Sequence, residues 1–250
     1  MSQNSENQRL DQLLVTLGLI PSRSRARDAI ARGTVTVNGK VITKPSASFS
    51  QTASITISDP AGDYVSRAAL KLVGGLDHFQ FDPKDHICLD VGASTGGFTQ
   101  VLLERGAKHV YAIDVGHDQM HPSISSDARV TNIEGINARY LASEDLDDTP
   151  ITFIVSDVSF ISLKLALAPA LQLAESGAYC VLLVKPQFEA GRDAIAKSGL
   201  LKDPASAPKV AAELERWLIE DMGWQSLGLT SSPIAGGDGN VEFLLGGRKP

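Results

Sequence analysis

The sequence of 250 residues predicts an α/β protein, a mostly parallel sheet covered by helices, preceded by a small α+β unit. From residue 87 onward, apolar strand patterns alternate with glycine-rich turns and helical patterns, which is typical of a parallel sheet. Residues 1–60 show a different order, two helices followed by short strands, and end at the linker-like segment Asp59-Pro60-Ala61-Gly62. We therefore expect two domains, residues 1–60 and residues 61–250.

The charge pattern divides the chain at the same place. The first sixty residues hold seven basic and four acidic side chains, a net charge of +3, whereas the whole chain carries −6. The remainder therefore carries −9. A basic unit joined to an acidic one indicates that the small unit binds a polyanion and that the larger unit has a different function.

The pattern of the small unit predicts two helices and a hairpin. Leucines at helical spacing predict the first helix over residues 10–17. Ser22 is the expected N-cap of a second helix that ends near Gly33. The turn Asn38-Gly39 between two short apolar segments predicts a hairpin with a type I′ turn, and Ser54–Ser58 predicts a further strand.

Basic residues concentrate on the second helix and the hairpin of this unit. A solvated helix face would explain them equally well in isolation, but the adjoining hairpin could extend them into one cationic surface that follows phosphates. The candidate RNA-binding residues are Arg9, Arg23, Arg25, Arg27, Arg32, Lys40 and Lys44.

The larger unit has the pattern of a parallel sheet with ligands at the carboxyl ends of its strands. The expected strands are Ile87–Val91, His109–Asp114, a third around Arg129–Ile133, Ile151–Ser156, Tyr179–Lys185, Gln225–Thr230 and Val241–Gly246. The expected helices include Phe98–Arg105, Ser162–Leu173 and Ala205–Met222.

The segment Cys88–Thr99 is a strand, a small-residue turn and a helix start, where nucleotide-like ligands bind in such folds. A dinucleotide site favours G-x-G-x-x-G, but Ser94 interrupts that pattern and Asp90 would bring a carboxylate close to a pyrophosphate. S-adenosylmethionine has no phosphate and carries two cationic groups, so a carboxylate favours it. The candidate cofactor-binding residues are Asp90, Gly92, Ser94, Thr95, Gly96, Gly97, Phe98, Asp114, Val115, Ile136, Asn137 and Asp157.

Four charged residues with apolar neighbours lie at or beside expected strand ends and helix faces: Lys71, Asp157, Lys185 and Glu242. For a single lysine of this kind, the ordinary explanation is a surface residue whose methylene chain packs on apolar neighbours while its ammonium group reaches water. Lys185 and Asp157, however, directly follow buried strands, where reactive groups collect. Methylation of an alcohol needs a base that removes its proton while the oxygen is held in line with the methyl group.

Motifs over nearly the whole chain resemble the TlyA family of ribosomal RNA 2′-O-methyltransferases. The resemblance is carried by YVSRAALKL, DVGASTGGFT, SDVSFISL, VKPQFEAGR and SPIAGGDGNVEF. The larger unit is similar to FtsJ-type enzymes, which implies a Rossmann-like methyltransferase fold with a mostly parallel seven-stranded sheet. Residues 8–55 resemble the small RNA-binding domain of the S-four type, which implies binding of structured RNA.

The resemblance also implies a catalytic Lys-Asp-Lys-Glu tetrad, represented by Lys71, Asp157, Lys185 and Glu242. On this interpretation Lys185 takes the 2′-hydroxyl proton and Asp157 positions it, while Lys71 and Glu242 tune charge and hold the target ribose. The implied reaction is S-adenosylmethionine-dependent methylation of a ribose, of a cytidine, in ribosomal RNA. The expected partners are ribosomal RNA or ribosomal subunits.

Other functions fit the sequence less well. Some family members were named haemolysins, but no apolar segment approaches the roughly 20 residues of a membrane span, and no secretion signal is visible, so we expect a cytoplasmic protein and no membrane partner. A non-catalytic ribosome-binding protein is the other alternative. His117 and His121 have metal-ligand spacing but no further ligand pattern, so we expect no metal. The target nucleotide, the ribosomal subunit and the oligomeric state stay open.

Overall fold

The computed structural model describes residues 7–236 and 239–250. The chain forms two compact units that divide between Asp63 and Tyr64, just beyond the boundary expected at residue 60. Asp59 explains the difference, because its carboxylate accepts two hydrogen bonds of 2.7 Å from Arg32 and so ties the linker-like segment to the first unit.

The first unit packs two helices on short strands. Its elements are β1 (Gln8–Arg9), α1 (Leu10–Thr16), α2 (Arg23–Ala31), β2 (Val35–Val37), β3 (Lys40–Val41), β4 (Ser48–Phe49) and β5 (Ile55–Ile57). The strands form a three-stranded sheet in the order β3-β2-β5 and a separate β1-β4 pair.

Local sequence explains the ends of these elements. The Ser22 hydroxyl caps α2 by accepting the backbone N–H of Arg25 at 3.3 Å. Asn38 and Gly39 both have positive φ, 49° and 77°, as the type I′ turn between β2 and β3 requires. The core of the unit contains two leucines of α1, the apolar face of α2 and the two valines of β2: Leu10, Leu14, Ala26, Ala29, Ile30, Val35 and Val37.

The second unit is a seven-stranded sheet with helices on both faces, which confirms the predicted fold class. Its elements are α3 (Ala69–Phe79), β6 (Ile87–Val91), α4 (Gly97–Glu104), β7 (His109–Asp114), α5 (Pro122–Ser125), β8 (Val130–Glu134), β9 (Phe153–Ser156), α6 (Leu163–Leu173), β10 (Tyr179–Val184), α7 (Pro186–Glu189), α8 (Ala207–Glu220), β11 (Gln225–Ser231) and β12 (Phe243–Arg248). Short 3-10 helices cover Ala138–Tyr140, Ser143–Leu146, Arg192–Ala194 and Pro204–Ser206.

The strand order is β11-β12-β10-β9-β6-β7-β8, with β12 antiparallel to both of its neighbours and the other pairs parallel. The chain builds outward from β6 to β8 and then returns to start β9 on the other side of β6. This reversal opens a crevice at the carboxyl ends of β6 and β9, the position at which such sheets bind ligands.

Alternate residues of the buried strands face opposite layers of core. Leu89 and Val91 of β6 pack toward α6 and α8, whereas Cys88 packs toward α3 and α4. Burial on both faces explains why the central strands read as continuous apolar segments. Among the described residues, we find no helix long and apolar enough to cross a bilayer.

Helix α3 was not predicted from the apolar pattern. It contains Gly74 and Gly75, which lower helix propensity. Both glycines lie in close contacts: a Cβ at Gly75 would lie 2.9 Å from Val181 Cγ1, and one at Gly74 would lie 2.8 Å from Pro233 Cγ. The helix is therefore stabilised by packing against its neighbours rather than by its own sequence.

Candidate active site

The candidate active site lies at the crevice where β6 and β9 end. The backbone N–H of Asp157, directly after β9, donates to the carbonyl of Val91 at 3.1 Å. The N–H groups of Gly92 and Ala93, directly after β6, donate to the carbonyl of Ile113 at 2.9 and 3.1 Å. These bonds fix the turn that follows β6 against the ends of both neighbouring strands.

The glycine turn is shaped by close backbone approach. Gly92 has φ 85°, and a Cβ at this position would lie 2.9 Å from the carbonyl oxygen of Asp157. Gly96 has φ 92°, and a Cβ at Gly97 would lie 2.9 Å from Ser66 Cβ. Side chains at these positions would displace the loop after β9 or the segment before α3.

Two cavities meet at this turn. The larger, of about 450 Å³, is lined by Val91, Gly92, Ser94, Ile113, Asp114, Val115, Gln119, Ile136, Asn137, Ala138, Asp157, Val158, Ser159, Phe160, Ile161 and Ala166. The smaller, of about 160 Å³, is lined by Ser66, Ala68, Gly92, Ala93, Ser94, Thr95, Gly97, Phe98, Asp157, Ser159 and Lys185. Gly92, Ser94, Asp157 and Ser159 line both, so they mark the junction.

Backbone donors hold the two carboxylates that end β7 and β8. Asp114 accepts the N–H of Ser94 and the N–H of Gly116, each at 2.8 Å. Glu134 accepts the N–H of Asp118 at 2.6 Å, and this bond, with one from Asn132, lowers the pKa of Glu134. The bonds order the loop after β7 along one wall of the larger cavity.

Asp90 lies behind the glycine turn, fully buried. Its Oδ2 accepts a hydrogen bond of 2.7 Å from the Thr99 hydroxyl, and its Oδ1 has no hydrogen-bond partner among the described residues. Burial raises the pKa of Asp90 to about 7, with Thr99 opposing the shift and the Asp157 charge adding to it.

Because its pKa in the fold lies above its ordinary value, Asp90 stabilises the protein below about pH 4, and that stability is lost as the pH rises through about 7. We expect Asp90→Asn to raise the free energy of unfolding at pH 8, by at most on the order of 4 kcal/mol, and to change it little at pH 4. Thermal unfolding of both proteins across this range, with the exposed substitution Asp148→Asn as control, measures the effect. A pH-independent difference would contradict it.

Two lysine–carboxylate ion pairs lie at the carboxyl edge of the sheet. Lys185 Nζ is 2.5 Å from Asp157 Oδ1, and Lys71 Nζ is 2.5 Å from Glu242 Oε2. The antiparallel register of β10 and β12 pairs Val184 with Phe243. Lys185 and Glu242, one residue further along, therefore occupy the next position of this register. Both lysines and Glu242 are buried, with less than a tenth of each residue exposed.

The loop after β9 has an unusual conformation at Phe160. This residue has φ 65° and is 91% exposed, which is rare for an aromatic side chain. Its ring centroid lies 5.1 Å from that of Phe188.

Glu189 anchors the far side of this loop. Its carboxylate accepts hydrogen bonds from the Ser162 hydroxyl at 2.6 Å and from the N–H of Leu163 at 2.8 Å, so it fixes the start of α6. Burial raises the pKa of Glu189.

The family model for FtsJ-like methyltransferases matches residues 64–249, which is all of the second unit except its last residue. The chain is a member of the FtsJ-like methyltransferase family. A second model, for the S4 domain, matches residues 8–48. Both domain types agree with the resemblance drawn from the motifs.

Relatives align with this methyltransferase over most of its length. It is 42% identical to the 16S/23S rRNA (cytidine-2′-O)-methyltransferase TlyA of Mycobacterium tuberculosis, over 95% of this chain and 88% of that protein. It is 40% identical to Hemolysin A of Brachyspira hyodysenteriae, over 94% and 98%. A solved structure from Streptococcus thermophilus that carries the hemolysin name superposes with a TM-score of 0.76 at 38% identity, covering 98% of this chain and 89% of that one. The predicted membership in the TlyA family is confirmed.

Most candidate cofactor-binding residues of the methyltransferase unit line one of the two cavities. Asp114, Val115, Ile136 and Asn137 line the larger, Thr95, Gly97 and Phe98 line the smaller, and Gly92, Ser94 and Asp157 line both. Asp90 and Gly96 line neither of these cavities. The structure thus places the Asp90 carboxylate beneath the turn rather than on a cavity wall.

The seven basic residues of the first unit have different surroundings. Arg9 and Arg23, about half exposed, bond to the fully buried Asp11, each through Nε at 3.0 Å, and these arginines lower the pKa of Asp11 to about 2. Arg25 donates to the carbonyls of Ala61 and Gly62 at 3.3 Å.

Arg32 does not point outward as the helical pattern predicted. It is largely buried between Asp28 and Asp59, because the linker-like segment folds back onto α2. The exposed basic residues of the set are Arg23, Arg27, Lys40 and Lys44. This contrast separates basic residues that stabilise the unit from those available to a partner.

Sequence reasoning missed several residues of the site. Ser159, Gln119 and Phe160 line the larger cavity but were not candidates. Ser159 and Phe160 lie within the motif SDVSFISL, directly after a predicted strand end, and that position is the signal that could have identified them.

His121, one of the two histidines with metal-ligand spacing, caps α5 by accepting the N–H of Ser123 at 3.2 Å. In the part of the chain that the structure describes, no cluster of three or more potential metal ligands was found.

Proposed function

We propose that this protein uses S-adenosylmethionine to methylate the ribose 2′-hydroxyl of a cytidine in ribosomal RNA. The observation that carries the proposal is the Lys185–Asp157 pair at the junction of two cavities on the carboxyl edge of the sheet. The M. tuberculosis relative, whose name states this reaction, supports the choice of substrate.

The lining of the two cavities supports S-adenosylmethionine as the cofactor. The larger offers apolar walls at Val115 and Ile136 for an adenine and the Asp114 carboxylate for ribose hydroxyls. The smaller, bounded by the glycine turn, would take the amino-acid part. Asp90, with one buried oxygen unpartnered in the described structure, lies behind the turn, where a nearby cationic group would favour its charged form. When bound, the cofactor supplies a methyl group attached to a cationic sulfur, and the sulfur keeps the carbon–sulfur electron pair when the methyl group is transferred.

The tetrad residues would act on the ribose hydroxyl. Lys185, in its neutral form, would take the hydroxyl proton onto Nζ and leave the oxygen lone pair free to attack. Asp157 holds Nζ in place, and its carboxylate balances the positive charge that Lys185 gains. Lys71 of α3 and Glu242, which form an ion pair with each other, would hold the target ribose and tune the charge of the site.

Phe160 offers an aromatic face for the target base. Because it is exposed beside the cavity that would hold the cofactor, a nucleobase turned out of the RNA could stack on it. We expect Phe160→Ala to lower kcat/KM for ribosomal RNA by about 5- to 150-fold, the equivalent of one base stacked on an aromatic ring. Phe160→Tyr should retain activity in the same steady-state assay. Equal activity of the alanine variant would exclude stacking at this position.

We propose that residues 1–60 bind the RNA and residues 61–250 carry out the transfer. The exposed Arg27, Lys40 and Lys44 would contact phosphates. Their combined replacement by Ala should weaken RNA binding and make the slope of log K against log salt shallower by about 1 for each phosphate that the variant no longer neutralises. Arg32→Ala should instead lower thermal stability, because it leaves Asp59 without its main partner. An unchanged salt slope in the triple variant would contradict the assignment.

Comparison of ribosomal RNA from cells with and without the gene tests the proposed function. Mass spectrometry of nuclease fragments should show one or more riboses methylated only when the gene is present. Restoration by the wild-type gene, but not by the Asp157→Ala gene, would tie the mark to this site. Identical methylation in both strains, together with lysis of erythrocytes by the purified protein, would favour the haemolysin alternative.

A further inference from the structure

Ser159 contacts the proposed base directly. Its Oγ lies 2.7 Å from Lys185 Nζ, which also lies 2.5 Å from Asp157 Oδ1. Ser159 lines both cavities, as does Asp157. The mechanism described above gives Ser159 no task, although its side chain touches the reactive nitrogen at the junction.

The loop that carries Ser159 is held on both sides. Before it, the N–H of Asp157 is bonded to β6, and after it, Glu189 fixes Ser162 and Leu163. Phe160, the next residue, has φ 65°, a conformation that costs energy for an aromatic residue and persists where surrounding contacts impose it. The position of Ser159 Oγ is therefore set by the fold and not by a freely moving loop.

The geometry of an amine explains what two such acceptors accomplish. A neutral lysine nitrogen has, besides its bond to carbon, two N–H bonds and one lone pair in roughly tetrahedral directions. Ser159 Oγ accepts one N–H from Nζ at 2.7 Å, and Asp157 Oδ1 forms an ion pair with the same nitrogen at 2.5 Å. With Nζ held by both groups, fewer directions remain for the lone pair. The hydrogen bond to Ser159 is therefore the contact that can orient it.

We propose that Ser159 is a positioning residue that, together with Asp157, fixes the lone pair of Lys185 toward the ribose hydroxyl. The assignment rests on the proposed function. In the transfer, the hydroxyl proton passes to Nζ, the oxygen lone pair forms the new bond to the methyl carbon, and the carbon–sulfur electron pair leaves with sulfur. Ser159 exchanges no proton in this step; its hydroxyl oxygen accepts an N–H throughout.

Three variants test the assignment in steady-state assays with ribosomal subunits and S-adenosylmethionine. Ser159→Ala should lower kcat by about 10- to 100-fold, as expected when a reacting group is misplaced, while KM for RNA and Kd for the cofactor stay within about twofold. Ser159→Thr keeps the hydroxyl and should restore most of kcat. Ser156→Ala is the matched control, since its buried hydroxyl, at the end of the same strand, has no partner among the residues described.

Each outcome decides the question. Because Ser159 is exposed, the alanine variant should fold, and its thermal unfolding midpoint checks this. Wild-type kcat in Ser159→Ala overturns the assignment, as does a threonine variant that loses as much as the alanine variant. A loss confined to KM or cofactor affinity would make Ser159 a binding residue instead and also overturn it. Absence of transfer by the wild-type protein would overturn the proposed function itself and the assignment with it.

Discussion

Lys185→Ala should lower kcat for methyl transfer by about 10²- to 10⁴-fold, the usual contribution of a positioned general base. The reason is that the buried Lys185 Nζ contacts both Asp157 and Ser159, which lie at the junction of the two cavities. Kd for S-adenosylmethionine, measured by calorimetry, should change little, since Lys185 is proposed to act on the ribose hydroxyl and is not one of the candidate cofactor-binding residues.

Two controls separate proton transfer from charge. Lys185→Arg keeps a positive charge beside Asp157. Its guanidinium group stays protonated and cannot accept the hydroxyl proton, so this variant should be as inactive as the alanine variant. Lys209→Ala, at an exposed position on α8, should be fully active. Activity of Lys185→Arg near the wild-type level would show that the position supplies charge alone and would remove the base from the mechanism.

Gly92→Ala should abolish measurable cofactor binding or weaken it at least about tenfold, a loss of about 1.4 kcal/mol or more. An added Cβ would lie 2.9 Å from the carbonyl oxygen of Asp157 and 3.0 Å from Val158 Cγ1. The loop after β9 would have to move, and with it the wall shared by both cavities. Calorimetry with S-adenosylmethionine measures the effect.

Gly177→Ala separates steric overlap from backbone strain. Gly177 has φ 84°, nearly the same as the 85° of Gly92, but a Cβ there would meet no atom within 4 Å. Both variants should lose about 1–2 kcal/mol of stability from the left-handed conformation. Only Gly92→Ala should lose cofactor affinity. Equal affinity in the two variants would show that the close approach at Gly92 does not shape the site.

Strand patterns predicted much of the site because the carboxyl ends of parallel strands meet at one edge. The ends of β6 and β7 were predicted to the residue, and Asp114, Asp157 and Lys185 were expected there before their contacts were known. Lys71 and Glu242 required the resemblance to a known family in addition. Their pairing depends on the packing of α3 and on the antiparallel register of β12, which no local pattern encodes.

The features that sequence did not predict depend on long-range contacts. Arg32 has the helical position of an outward residue, but its partner Asp59 lies 27 residues later. Asp90 was expected to face the cofactor, whereas its bond to Thr99 holds it beneath the turn. Ser159 was not considered because its importance comes from the distance to Lys185, which follows a different strand.

The position of the transferred methyl group tests the central claim most directly. Purified protein, S-adenosylmethionine labelled in its methyl group and unmodified ribosomal subunits are incubated, and the RNA is digested to nucleosides for mass spectrometry. Labelled 2′-O-methylcytidine is the expected product, and Lys185→Ala should form it at least about 100-fold more slowly. Label on a nucleobase, or on protein with none on ribose, would contradict the account.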